Sequence, residues 1–274
     1  MAGGYGPPLV VEGRPRQILP YGLFTVVDWR DSSDQHWVNG VEWEAMTCQP
    51  ASGYDDPDCV KDQGFQQKFA NTWPTGSAER FTVQGSYRCG SPAGGQRLLL
   101  GQEQANAHLL SREEGQAEFY TWQRLASVAT DVNTGGSLTP AAALAALELW
   151  LGRTYGSLGV IHADRGAASL WTTNGAVEAK GSHLFTKIGT PVSAGGGYPM
   201  TSPAGAAPAA GETWVFASPS LFGYRGQVYS GSPRNALSDG GFDRSMNDVY
   251  AVSNRDYVVA YDPCGVAAVR MKIT

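Results

Sequence analysis

The sequence predicts an α+β fold in which one long helix crosses a body of mixed helices and strands. Three observations lead there. β-type runs rich in Val, Thr, Tyr and Phe recur from Leu184 to Met271. A helical pattern of apolar positions extends from Gln96 to Leu125. Between them lie a second helix with clear start signals and a strand-then-helix stretch, so the two kinds of element are intermingled. With 274 residues the chain has length for a buried core, in one large domain or two small ones.

The first eight positions hold five Pro or Gly, and Arg14-Pro15-Arg16 follows without periodicity, which reads as an extended arm. Short β-type runs at Gly22–Val27 and His36–Trp43 are separated by the polar turn Asp31-Ser32-Ser33-Asp34. A turn-rich loop between Cys48 and Cys59, the stretch Gly64–Trp73 and a β-run over Arg80–Tyr87 complete an irregular β region. In the long helix, Leu99, Ala105, Leu109 and Leu110, then Phe119, Trp122 and Leu125, keep helical spacing, while Glu103, Gln104, Arg112, Glu113, Glu114 and Glu118 occupy the remainder. Gly101 and Gly115 each cost about 1 kcal/mol against Ala, so this helix is expected to bend or lean on neighbours.

Thr139 is an N-cap with Pro140 at the first helical position, Leu144, Leu147 and Leu151 form one stripe, and Gly152 is the expected stop. Leu158–Ala163 is a buried-strand candidate, and Asp164 caps a third helix to about Trp171. Strands are expected at Leu184–Val192, Thr213–Ala217, Asn247–Val252 and Tyr257–Met271, with loops at Gly195–Gly211 and Ser230–Gly241.

Only 16% of residues are charged, against 35 Gly and 8 Trp, a composition that suits equally a protein that buries much of its outside against neighbours and a Gly-rich soluble β protein from a high-GC genome. A net charge of −5, without a run of five basic residues, argues against a nucleic-acid-gripping face. There is no apolar run long enough to span a membrane, and Met1-Ala2-Gly3-Gly4 lacks a signal-peptide pattern, so a soluble, unexported chain is expected.

Candidate chemistry is thin. His162 with Asp164 offers a base at a strand end, but no serine stands in a G-x-S-x-G elbow, and the plainer reading is a hydrogen-bonded strand residue beside a helix cap. Gly195-Gly196-Gly197 is followed by Pro199 and an Ala/Pro/Gly stretch where a phosphate cradle needs a helix, which favours a turn between strands. His36, Asp28, Asp31 and Asp34 are metal-ligand types at irregular spacing, and Asp55-Asp56 and Glu113-Glu114 are adjacent pairs that point apart. Cys48, Cys59, Cys89 and Cys264 fit no zinc pattern. Cys48 and Cys59 either close a small disulfide loop or, as favoured for a cytosolic product, stay free thiols. The expectation is a non-enzyme with no metal and no cofactor.

The succession of arm, β excursion, long helix and mixed domain with returning strands resembles the major capsid protein of tailed bacteriophages, the Hong Kong 97 type shared by encapsulins. The likeness is strongest from 139 to 274. Leu158–Ala163 with Asp164–Trp171 is similar to the family's strand–turn–helix, and Ile188-Gly189-Thr190-Pro191-Val192 to its "l-G-x-P-V" strand. Glu212–Ala217, Asn247–Val252 and Arg255–Ala260 are similar to later strands, and Asp262-Pro263-Cys264-Gly265-Val266-Ala267 to the final turn and strand. Gln35-His36-Trp37-Val38-Asn39-Gly40-Val41 resembles actinobacterial-phage structural proteins.

The resemblance implies an N-terminal arm (1–21), an extended β-loop or inserted β region (22–93), a spine helix with peripheral domain (94–138), a mainly axial domain (139–246) and strands returning to the peripheral domain (247–274). It implies a homo-oligomer of hexamers and pentamers in an icosahedral head, made in the host bacterial cytoplasm. Decoration, portal or scaffolding proteins are the implied partners, with double-stranded DNA held on the inner face without sequence-specific binding and with no membrane. Arg14, Arg16, Trp37, Trp43, Glu113, Glu114, Tyr198 and Arg234 are the intersubunit contact candidates. Alternatives are a tail or decoration protein, an encapsulin-like compartment with a cargo enzyme, and a hydrolase using His162.

Overall fold

The computed structural model describes residues 17–45, 48, 73–89, 94–230, 242–243 and 248–273. A 3-10 turn at Leu23–Thr25 precedes β1 (Val27–Trp29), and a second at Gln35–Asn39 precedes β2 (Val41–Glu44). β3 (Thr75–Ala78) pairs antiparallel with β2, and β4 (Phe81–Cys89) leads to the long helix α1 (Gly94–Val128). Then come β5 (Ala129–Asp131), α2 (Pro140–Trp150), β6 (Val160–Asp164) and α3 (Arg165–Thr173). The remainder is β7 (Val177–Lys180), β8 (His183–Thr186), β9 (Pro191–Gly195), β10 (Glu212–Ser218), β11 (Leu221–Arg225), β12 (Tyr229–Ser230), β13 (Phe242–Asp243), β14 (Asp248–Tyr261) and β15 (Val266–Lys272).

Two sheets share α1. In the seven-stranded sheet the order is β5-β15-β10-β6-β9-β8-β7. Alternation along its strands buries both faces. Val215 and Ala217 of β10, with Ile161, Ala163, Ala267 and Val269, face α2 and α3 through Leu144, Leu147 and Trp171. Trp214 and Phe216, with Val266 and Ala268, face Trp122, Leu125 and Ala126 of α1. In the second sheet, 14-residue β14 pairs β4 along one edge and β13, β12 and β11 along the other, and β1 adds parallel to β11. There Val83, Leu109 and Tyr257 are buried together. A helix of 35 residues is ~52 Å long, enough to lie on both sheets. The closing stretch divides between them: β14 lies against α1 in the second sheet, while β15 inserts between β5 and β10 in the first.

Local signals mark several element ends. Thr139 accepts from the Ala142 N–H as the α2 N-cap, and Asp164 Oδ1 accepts from the Gly166 and Ala167 N–H groups as that of α3. Other expectations need correction. Gly152 does not end the second helix: a π-helical turn, Leu151–Tyr155, buries Tyr155 before Gly156 stops the chain in the left-handed region at φ 70°. Leu184–Val192 is two strands, because Gly189 turns at φ 99° and pairs β8 back onto β9. The runs at Gly22–Val27 and His36–Trp43 are partly 3-10 turns, the second capped by Asp34 accepting from the His36 N–H. β14 is continuous where two strands were expected, since both its edges are paired.

Cys48 is neither free nor bonded to Cys59. It forms a disulfide with Cys264 across 216 residues, with Cα atoms 4.9 Å apart. Trp43 carries the β2–β3 hairpin to the same place: its Nε1–H donates to Asp262 Oδ1 at 2.9 Å and its ring meets Phe222 edge-on at 5.0 Å. Cys59 lies outside the described residues.

Candidate functional site: the carboxylate seam of the long helix and the exposed apolar side chains

Positions 101, 105, 109, 113, 117, 121 and 125 of α1 are all buried, one stripe at intervals of four. That stripe contains Gly, Ala and Leu, but also Glu113, and Glu118 is buried beside it. Sequence patterning placed both glutamates among the polar remainder of the helix. No local signal reveals their burial, because the partners that satisfy them arrive from distant elements.

Glu113 joins α1 to the second sheet. Its Oε1 and Oε2 accept from Arg255 Nη1 at 3.0 and 2.9 Å, Oε2 accepts from the Tyr257 hydroxyl at 2.7 Å, and Arg225 closes onto Oε1. Burial, and donation to this carboxylate, hold the Tyr257 hydroxyl well above its ordinary pKa. Glu114 Oε1 accepts from the Phe24 N–H at 2.9 Å; burial raises its pKa. Glu118 accepts from the Leu23 N–H at 3.1 Å and the Gly197 N–H at 2.7 Å, and burial pushes its carboxyl up to about 7 against those two bonds. Gly197 makes the close approach of helix and loop possible: a Cβ there would stand 1.9 Å from the Gly115 carbonyl oxygen, whereas one on Gly115 would meet only Gly197 Cα at 3.9 Å. The long helix leans on the loop after β9 at Gly115, and the glycine that this contact requires is the loop's.

His162 is fully buried on the α1 side of β6. Nδ1 lies 3.0 Å from the Tyr198 hydroxyl and Nε2 2.9 Å from Ser218 Oγ, while Ser193 Oγ lies 2.7 Å from the same hydroxyl. Ser218 Oγ donates to the Pro219 carbonyl at 2.9 Å. All these groups are satisfied when Ser193 donates to Tyr198, Tyr198 to Nδ1, and Nε2–H to Ser218, which assigns the tautomer. Burial drives the imidazole pKa down to about 3, so the ring is neutral. Asp164 is turned away, capping α3 and accepting from Thr213 Oγ1 at 2.7 Å. Neither a groove of about 640 Å³ between α1, β4 and Gly196-Gly197 nor one of about 290 Å³ between β3, α1 and Pro263 includes His162. This is the geometry of a closed hydrogen-bond chain in a core. Among the described residues no three His, Cys, Asp or Glu gather as metal ligands, and no helix is long and apolar enough to cross a membrane.

Of the eight contact candidates, Arg14, Arg16 and Arg234 lie outside the described residues. Trp37 stacks on Tyr224 at 5.8 Å and Trp43 packs on Phe222, both half-buried within the chain. Glu113 and Tyr198 are buried at 3% and 4% exposure and Glu114 is half-buried, each engaged within its own chain. Exposed apolar side chains lie elsewhere among the described residues, including Ile188 at the β8–β9 turn (76%), Tyr229 on β12, Leu158 before β6 and Leu149 on α2.

No protein-family model matches the sequence, and no curated protein does. Solved structures match along nearly the whole chain. One from Mycobacterium phage Ogopogo is 14% identical, with a TM-score of 0.54, over 97% of this chain and 96% of that one. The acidic stable capsid of Helicobacter pylori bacteriophage KHP30 is 9% identical, with a TM-score of 0.55, over 100% and 97%. The holo-SrpI encapsulin complex of Synechococcus elongatus is 12% identical, with a TM-score of 0.52, over 97% and 94%. The likeness in fold thus runs nearly end to end along this chain and along each of these three. The protein has the phage capsid fold, of the Hong Kong 97 type that its order of elements resembles.

Proposed function

We propose that this chain is the major capsid protein of a phage, self-assembling into the hexamers and pentamers of an icosahedral head around double-stranded DNA, and thus a virion component made in the host cytoplasm. The observation that carries the reading is the end-to-end match of fold to phage capsids, over 97% or more of this chain. The low charge content and the exposed Ile188, Tyr229, Leu158 and Leu149 support it, since each is costly to leave in water and suits burial between copies. In this reading residues 1–21 form an arm, 22–93 the extended β-loop or an inserted β region, 94–138 the spine helix with its peripheral domain, 139–246 mainly the axial domain, and 247–274 strands returning to the peripheral domain. Arg14, Arg16, Trp37, Trp43, Glu113, Glu114, Tyr198 and Arg234 remain the sequence-derived contact set; Trp37, Trp43 and Glu114 have partial surface to offer, and Glu113 and Tyr198 act by shaping it. Portal, scaffolding or decoration proteins are its further partners, and no catalytic step is assigned to it.

The encapsulin match favours a second reading, a protein-filled compartment. Size-exclusion chromatography with light scattering, and negative-stain images of the heavy fraction, test the first step. Closed shells or free hexamers and pentamers are expected; a monomer under all assembly conditions overturns both readings. Particles from the native source, digested after lysis, then separate the two: nuclease-protected double-stranded DNA supports the head, and a co-purifying enzyme without DNA supports the compartment.

A further inference from the structure

We propose that Glu114 and Glu118 form a carboxyl pair that clasps residues 22–24 to the long helix with a proton held on the buried Glu118, so that loss of that proton loosens the point where the N-terminal segment joins the body. The two glutamates stand one turn apart on α1, and consecutive backbone N–H groups are held by them, Leu23 by Glu118 and Phe24 by Glu114. Both carboxyl groups crowd one spot. A Cβ placed on Gly22 would lie 2.4 Å from Glu114 Oε1 and 2.6 Å from Glu118 Oε1, so only glycine leaves room for the clasp. The second oxygen of Glu118 reaches the Gly197 N–H, so one side chain ties three segments together.

Every charged group around this spot is accounted for. Arg225 of β11 and Arg255 of β14 are committed to Glu113; of the pair only Glu114 feels Arg225, and the Glu113 carboxylate beside it on the helix opposes that by repulsion. From the loop after β9, Tyr198 faces Glu118 with burial holding its proton on, and His162 behind it is neutral. Arg165 of α3 donates to the Pro20 carbonyl at 2.8 Å rather than to either glutamate. Among the described residues no cation pairs with Glu118. Glu118 is 2% exposed, so burial opposes its ionisation first and the Glu114 carboxylate one turn away adds to that.

The sign follows from the raised carboxyl. The clasped form holds a proton that the open form releases, so the clasp weakens as pH rises from the ordinary carboxylate range to about 7 and is level above it. Moving one carboxyl from a model value of 4.5 to about 7 makes opening on the order of 50-fold more favourable at pH 8 than at pH 5.

Hydrogen–deuterium exchange of the full chain, in one assembly state and corrected for intrinsic rates, reads this at the Leu23 and Phe24 amides. In the wild type their protection is expected to fall by on the order of 50-fold from pH 5 to pH 8, with no such fall for amides of β10. Glu118→Gln flattens the profile, and Glu114→Gln moves the fall to lower pH by removing the repelling neighbour. A flat wild-type profile overturns the proposal, as does a Glu118→Gln profile that matches wild type. Should Glu118→Gln fail to fold, the wild-type and Glu114→Gln profiles decide: an unshifted fall in the latter refutes the coupled pair. None of these readings depends on whether the chain builds shells.

Discussion

Replacing Gly85 by alanine tests how tightly α1 is seated on its sheet. Gly85 lies on β4 facing the helix, and an added Cβ would stand 2.4 Å from the Leu109 nitrogen, 2.5 Å from the Ala105 carbonyl oxygen and 2.8 Å from the Leu109 Cα. All three are helix backbone, which has no rotamer with which to give way. Restoring ordinary contact needs the helix to retreat by about 1 Å, which opens the packing of Leu109 against Val83 and Tyr257. Overpacking of this kind costs typically 1–3 kcal/mol, with more where the obstacle is rigid. Reduced unfolded-chain freedom returns about 0.5–1 kcal/mol. With a rigid obstacle the upper end of that range applies, so the net expectation is a loss of about 2 kcal/mol, which for a chain of 274 residues lowers Tm by roughly 4 °C.

The assay is thermal unfolding of the unassembled chain by circular dichroism at one fixed scan rate, with Gly152→Ala in parallel. Gly152 has nothing within 4 Å of its would-be Cβ, so the same substitution there leaves Tm unchanged or raises it slightly. A Gly85→Ala protein that melts within 1 °C or so of wild type, or two variants that fall equally, would refute the seating argument.

Glu113→Ala leaves the Arg255 guanidinium and the Tyr257 hydroxyl without their buried acceptor and is expected to cost about 3–5 kcal/mol by urea unfolding, with Glu113→Gln recovering part of it. Cys264→Ser frees a connection that spans 216 residues; a loss of about 2–4 kcal/mol is expected, and a non-reducing peptide map of the wild type should join Cys48 to Cys264 rather than to Cys59. His162 is held neutral with a lowered pKa while the unfolded chain takes up its proton, so stability falls as pH drops from about 6.5 toward 3. His162→Gln should flatten that acid limb in unfolding curves between pH 6 and 4; an unchanged limb counts against the closed hydrogen-bond chain. Ile188→Asp should leave the monomer's Tm nearly unchanged while reducing the yield of closed particles, and full assembly would remove this turn from the proposed contacts.

The sequence by itself determined the elements whose signals are local. Thr139-Pro140 starts α2 and Asp164 starts α3 because each cap acts within three residues of itself. The apolar run around β10 and the four-residue spacing of Ala105, Leu109 and Leu125 announce burial wherever the partner comes from. Their order along the chain was enough to suggest the capsid fold. Tertiary structure alone decided what depends on a partner far away in sequence. Glu113 and Glu118 look like solvated helix charges until residues 112 to 144 positions distant, and others 79 and 95 away, reach them. Cys48 sits near Cys59 in the chain, yet Cys264 is its partner because the β2–β3 hairpin folds onto the β14–β15 turn. Gly85 reads as a weak spot in a strand until the helix backbone lies against it. Caps and periodicity act over a few bonds, whereas the pairing of a buried charge, a disulfide or a close backbone contact is fixed only when the two sheets have closed on the helix between them.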